Sequence, residues 1–123
     1  MPGSNNRKTG TEQEERAAKY LAARGFRIVE RNFRCTQGEI DIIGYDGEYL
    51  VFVEVKYRSS SRYDSPLAAV GNAKMKKICR VADYYRYQAR IGKEVPVRYD
   101  VVGILREEII WIPNAFPHIY SRG

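Results

Sequence analysis

This sequence predicts an α/β domain with a mixed sheet flanked by helices, and three features carry that expectation. Two segments, Gly10 to Arg24 and Asn72 to about Arg90, place apolar residues at the three- and four-residue spacing of a helical face. Between them, Gly38 to Lys56 holds two strongly apolar runs joined at Asp46-Gly47, a tight-turn signal. A further strand, Val95 to Leu105, follows the second helix, so helices and strands intersperse. The order of strands in the sheet does not follow from these patterns.

The elements can be justified in chain order. Met1 to Lys8 is polar and reads as a disordered tail, leaving residues 9–123 as one domain with a modest core. In the first helix Glu14, Ala17, Ala18, Leu21 and Ala22 share a face, while Glu12, Glu15, Arg16 and Lys19 mostly lie toward solvent. Acids near its start also suit the helix dipole. Gly25 closes the helix, and Phe26 to Phe33 makes a first strand around Ile28 and Val29.

The hairpin comes next. With Asp46 and Gly47 as the two loop residues, Tyr45 faces Glu48, Ile43 faces Leu50, Asp41 faces Phe52 and Glu39 faces Glu54. Alternation then gathers Ile40, Ile42, Tyr49, Val51, Val53 and Val55 on one face. The other face carries Ile43, Leu50 and Phe52 near the turn, with Glu39, Asp41, Glu54 and Lys56 at the far end.

After Lys56 comes a polar loop from Tyr57 to Pro66, containing Arg58 and Arg62, long enough to move and basic enough to touch a substrate, or equally a simple flexible connection. The second helix opens near Asn72, a good cap residue, with Met75, Ile78, Val81, Ala82 and Tyr85 inward. Tyr84 and Tyr87 fall off that stripe, and the plainer reading is that they shield the helix, since base stacking requires splayed, exposed bases. Gly92 ends the helix, and a short fifth strand is expected over Glu108 to Ile112.

The acidic end of the hairpin is the candidate site. In the register above, Asp41 and Glu54 are diagonal neighbours with Cβ atoms about 7 Å apart, so one ion could lie between their carboxylates. Like charges on such strands are unfavourable unless a cation, a lysine or water compensates them. Mg²⁺ is a suitable compensator, because it takes hard oxygen ligands and is commonly held by one or two carboxylates plus substrate phosphate. Lys56 points the same way as Glu54, where it could orient a water or stabilise charge on a phosphate. The plainer alternative is a solvated strand end with an Asp41 or Glu54 ion pair to Lys56. Glu14 lies on the helical stripe that must face the sheet, either as a third acid or as a residue bending out to water.

Several blocks taken together resemble a known family over most of the chain. They are Thr9-Gly10 with Glu14-Glu15 and Ala17-Ala18, Arg31-Asn32-Phe33-Arg34, Gly38-Glu39-Ile40-Asp41, Leu50 through Lys56 with Arg58, Arg98 through Val102, and Asn114-Ala115-Phe116. The sequence is similar to the YraN-like family of small uncharacterised bacterial proteins, placed in the restriction-endonuclease-like superfamily with archaeal Holliday-junction resolvases. That resemblance implies a restriction-endonuclease-like mixed sheet flanked by helices. It further implies a metal-dependent DNA endonuclease that hydrolyses phosphodiester bonds, with branched or recombination-intermediate DNA as a candidate substrate and Mg²⁺ or Mn²⁺ as cofactor. Asp41 would be the first aspartate, Glu54-Val55-Lys56 the acid-x-lysine, and Glu14 the helical glutamate. Asp41, Glu54 and Lys56 are thus the expected catalytic residues, and Asp41 and Glu54, with Glu14 or Glu39, the expected metal ligands. Gln13 departs from the glycine that the family usually has there.

Composition fits a polyanionic partner, with 21 Lys and Arg against 15 Asp and Glu giving a net charge of +6. Basic residues cluster around the first helix and strand and along the second helix, and Arg34, Arg58, Arg62, Lys74 and Lys77 are the expected nucleic-acid contacts. Solubility alone is the competing reason for such charge. No apolar run approaches the length of a membrane span and no signal peptide opens the chain, so a cytoplasmic location is expected. Cys35 and Cys79 lack metal-ligand spacing and read as free thiols.

Three residues stand apart. Asp100 reads as an ion pair with Arg98 or Arg34 at least as readily as a catalytic acid, His118 as a surface residue, and Trp111 as packing on the sheet edge or a partner. The apolar stretch Ile109 to Phe116 is equally core or the interface of a homodimer. A second function class stays open: a non-catalytic nucleic-acid-binding or recombination scaffold that retains the nuclease fold.

Overall fold

The computed structural model describes residues 2–58 and 71–120. Within them the order is α1 (Pro2–Ala23), β1 (Arg27–Cys35), β2 (Gly38–Asp46), β3 (Tyr49–Arg58), α2 (Asn72–Gln88), β4 (Val97–Leu105) and β5 (Glu108–Phe116). The five strands form one mixed sheet in sequential order, β1 to β5. All neighbours are antiparallel except β3 and β4, which run parallel across the α2 crossover. This five-stranded sheet with two helices is an α/β fold consistent with a restriction-endonuclease-like arrangement.

A helix covers each face of the sheet. Ala17, Ala18 and Leu21 of α1 pack with Phe26, Ile42, Val51, Val53, Val102 and Ile104. Ile78, Cys79, Val81, Ala82 and Tyr85 of α2 pack with Phe33, Ile43, Leu50, Phe52, Tyr99 and Val101. The central strand β3 feeds both cores, which is why Leu50 to Val55 is apolar almost without interruption. Burying such side chains contributes about 1.5–3 kcal/mol each before the entropic cost of ordering.

The hairpin register differs from the sequence expectation by two residues. Asp46 pairs with Tyr49, Ile43 with Phe52 and Ile42 with Val53, so the loop residues are Gly47 and Glu48. Gly47 takes the positive φ of 61° and Glu48 does not, the pattern of a turn with glycine in the first central position. A shift of two leaves each side chain on its face, because alternation has period two, but changes its partners. Alternation does fail at one place. Ile40 joins Phe33 in the α2-side core while Ile42 stays on the α1 side, and the paired strand β1 carries Asn32 in a left-handed conformation at this level.

Other boundaries move as well. Helix α1 begins upstream of Gly10, and Gln13 rather than Glu14 occupies its most buried early position. Asn72 is the first helical residue of α2, not its cap, and Gly71 caps without a side-chain bond. Strand β5 runs on to Phe116, because Tyr99 of β4 still finds a partner there beyond an irregularity. Gly44 permits a close approach, since a Cβ there would lie 2.4 Å from the Arg27 carbonyl and nearly on the Phe26 ring.

Candidate functional site at the fork of the sheet

The β2–β3 ladder stops at Ile42 and Val53, and the two strands then part company. Toward its start β2 follows β1, through Ile40 to Phe33 and Glu39 to Arg34, while β3 continues beside β4 as far as Arg58. A backbone donor freed by such a fork needs a new acceptor. Asp41 provides it, accepting the Val55 N–H at Oδ2 over 2.8 Å. With this register Asp41 and Glu54 are not the diagonal partners expected; both stand one residue past its last pair, Ile42 with Val53.

The fork collects negative charge. Burial and then the Glu54 carboxylate push Asp41 up from 3.8 to about 7, with smaller contributions from Glu14 and Glu39, while the Val55 N–H pulls the other way. The other three predicted acids are therefore all close enough to act on Asp41. Glu14 is half-buried on α1, and Glu39 pairs with Arg34 at 2.7 Å. Glu54 is 6% exposed, and its Oε2 lies 3.3 Å from Lys56 Nζ and 3.5 Å from Lys74 Nζ.

Lys74 was expected on a phosphate, and its role beside Glu54 has no signal in the sequence, because only the crossover brings the start of α2 over this end of β3. Arg34 forms the ridge between two grooves. One, of ≈430 Å³, lies between the β1–β2 turn and α2 and includes Glu39, Lys74 and Lys77; the other, of ≈440 Å³, includes Gly10, Glu14 and Asn32. Arg58 ends β3 in an exposed position, and Arg62 lies outside the described residues.

The donors at the fork are hard carboxylate oxygens, the chemistry that Mg²⁺ and Mn²⁺ prefer. Among the described residues, no group of three or more His, Cys, Asp and Glu side chains is gathered tightly enough to hold an ion by itself. Two carboxylates fit an ion that fills its remaining positions with water and substrate.

A family model described as "Uncharacterised protein family UPF0102" matches residues 13–104. The chain belongs to the UPF0102 family. It is 44% identical to a UPF0102 protein of Lachnoclostridium phytofermentans over 112 residues, 91% of this chain and 95% of the relative. It is 43% identical over 119 residues to one of Methylococcus capsulatus, covering 94% and 95%, and 43% identical over 121 residues to one of Syntrophus aciditrophicus, covering 95% and 94%. The UPF0102 match includes every acid of the fork, from Glu14 to Glu54, together with Lys56 and Lys74.

Asp100 of this UPF0102 chain does not belong to the fork. Arg98 donates to both of its oxygens at 2.9 and 2.8 Å, Trp111 Nε1 donates at 2.8 Å and the Asn114 N–H at 2.9 Å. Arg98 also reaches Asp46 at 2.8 Å, tying the hairpin turn to β4. Four donated bonds on a fully buried carboxylate describe a brace, as the ion-pair reading expected. Trp111 completes it by packing edge-on against Phe26, with ring centroids 6.2 Å apart. His118, expected at the surface, is instead stacked on Tyr99, with Nδ1 2.6 Å from the tyrosine hydroxyl. Cys35 and Cys79 are both free thiols. No described helix is long and apolar enough to cross a membrane.

Proposed function

We propose that this protein is a divalent-metal-dependent endonuclease acting on DNA, with its site at the fork of the sheet. The observation that carries the reading is the meeting of Asp41 and Glu54 where the ladder breaks, with Lys56 and Lys74 beside them and a basic groove leading in. Asp41 and Glu54, assisted by Glu14 or Glu39, would hold Mg²⁺ or Mn²⁺. When bound, the ion supplies Lewis-acid stabilisation of the phosphate and a more acidic water. Lys56, fixed by Glu54, presents its ammonium where negative charge develops on the phosphate. Arg34 and Lys77 hold the backbone on either side without reading sequence.

Branched DNA suits a homodimer, because resolving it takes two coordinated cuts. We assign the dimer contact to the sheet edge at β5, where Ile110 is 48% exposed. Two free thiols suit action in the reducing cytoplasm.

A second reading has its own support. Two lysines already neutralise Glu54, as they would in a scaffold that binds DNA without cutting it. The two readings separate when the protein and Glu54→Gln are incubated with duplex, single-stranded, flap and four-way-junction DNA in Mg²⁺, Mn²⁺ or chelator. The nuclease reading expects metal-dependent cleavage that the variant loses by at least a hundredfold. Retention of DNA with no cleavage in any metal would reject it in favour of the scaffold.

A further inference from the structure

The outer face of α2 is built unlike a solvated helix surface. Lys74, Lys77, Arg80, Tyr84 and Tyr87 succeed one another at three- and four-residue steps, so their side chains form one continuous row. The row starts basic and ends aromatic. Its first member touches Glu54, and at 1.5 Å per residue Tyr84 and Tyr87 lie about 15 and 20 Å further along the axis.

The aromatic end is exposed and braced. Tyr87 is 83% exposed and so shields nothing, against the plainer expectation from sequence, while Tyr84 is 45% exposed. Tyr84 leans on Phe33 with centroids 6.3 Å apart, which backs one side of its ring. Both tyrosines border an open groove of ≈460 Å³ with Arg80, Asp83 and Gln37, the last from the β1–β2 turn. That groove and the ≈430 Å³ groove holding Lys74 and Lys77 flank the same turn, so a strand could follow both. No carboxylate of the described residues pairs with Lys77 or Arg80, whereas Asp83 is engaged by Arg86 at 3.9 Å and His118 at 3.4 Å.

We infer that this face is a track for an unpaired DNA strand, with Lys74, Lys77 and Arg80 on its phosphates and Tyr84 and Tyr87 stacking on its bases. Charge complementarity argues for a polyanion, and exposed rings one turn apart argue for open bases, whose faces a duplex keeps stacked inside itself. The inference rests on the nucleic-acid part of the proposed function and narrows its substrate to DNA with a single-stranded arm beside the cut.

Binding in chelator tests the track independently of cleavage. Fluorescence anisotropy of the full chain would compare a labelled oligothymidine, a blunt duplex and a flap against wild type, Tyr84→Ala/Tyr87→Ala, Tyr84→Phe/Tyr87→Phe and Lys77→Ala/Arg80→Ala. The alanine pair is expected to weaken single-strand and flap binding at least tenfold while leaving the duplex within twofold, and the phenylalanine pair to restore it. The basic pair is expected to weaken all three ligands and flatten their salt dependence. In parallel, 5-iodouracil placed in the single-stranded arm should photocrosslink to Tyr84 or Tyr87. Duplex binding with no change in single-strand affinity in the alanine pair would overturn the track and leave the nuclease reading standing. Loss of track binding in Tyr84→Ala/Tyr87→Ala alongside metal-dependent cleavage that survives Glu54→Gln would uphold the track and move the catalytic site elsewhere.

Discussion

Asp41 sits where the β2–β3 ladder ends, and its charge has a measurable cost. An acid that holds its proton more tightly when folded than when unfolded loses stability as pH rises, starting near its unfolded value and finishing above its folded one. With 3.8 raised to about 7, the penalty grows across that interval and is complete above it. Its size is on the order of 2 kcal/mol, below the full conversion of the shift because Asp41 is only half-buried. Asp41→Asn keeps an acceptor for the Val55 N–H without the charge. It should therefore melt higher than wild type at pH 8 and show a flatter profile between pH 4 and 8. Mg²⁺ or Mn²⁺ should raise the wild-type melting temperature at pH 8 and leave the variant's unchanged. Equal pH profiles for the two proteins would show that Asp41 ionises freely. The sequence made Asp41, Glu54 and Lys56 visible through strand alternation, but Lys74 beside Glu54 was hidden because no local pattern records which helix end a crossover delivers.

At the level of elements, the brace around Asp100 shows what joins the sheet away from the site. Arg98 and Asp100 belong to β4, Asp46 to the end of β2, Trp111 and Asn114 to β5, so one buried carboxylate coordinates three strands. Asp100→Asn leaves Arg98 without its full counter-charge and misplaces donors. It should cost about 3–5 kcal/mol by urea denaturation, as breaking a buried pair from one side commonly does. On the proposed nuclease reading, cleavage per folded molecule should persist, and a selective loss of catalysis at unchanged stability would give Asp100 a catalytic role instead. Element types were legible here, since two helical stripes and the hairpin follow from periodicity alone. The register was not: Asp-Gly signals a turn, but whether glycine stands first or second in it depends on backbone angles set by the flanking pairs.

For the whole molecule, the sheet consists of an arm, β1 with β2, and a slab, β3 with β4 and β5. Strand order lay beyond the sequence, because the parallel β3–β4 pairing links residues separated by the whole of α2. The arm and slab share backbone rungs from Asp46–Tyr49 to Ile42–Val53, and past these the next bond is made by the Asp41 carboxylate to Val55. That substitution makes one amide proton a gauge. Val55 N–H exchanges with deuterium only when Asp41 lets go, so an ion or substrate that recruits Asp41 should speed exchange at Val55 while its neighbours on β3 stay protected. If the fork takes an ion or a substrate, the backbone itself reports the occupancy, readable without any cleavage and without an attached probe.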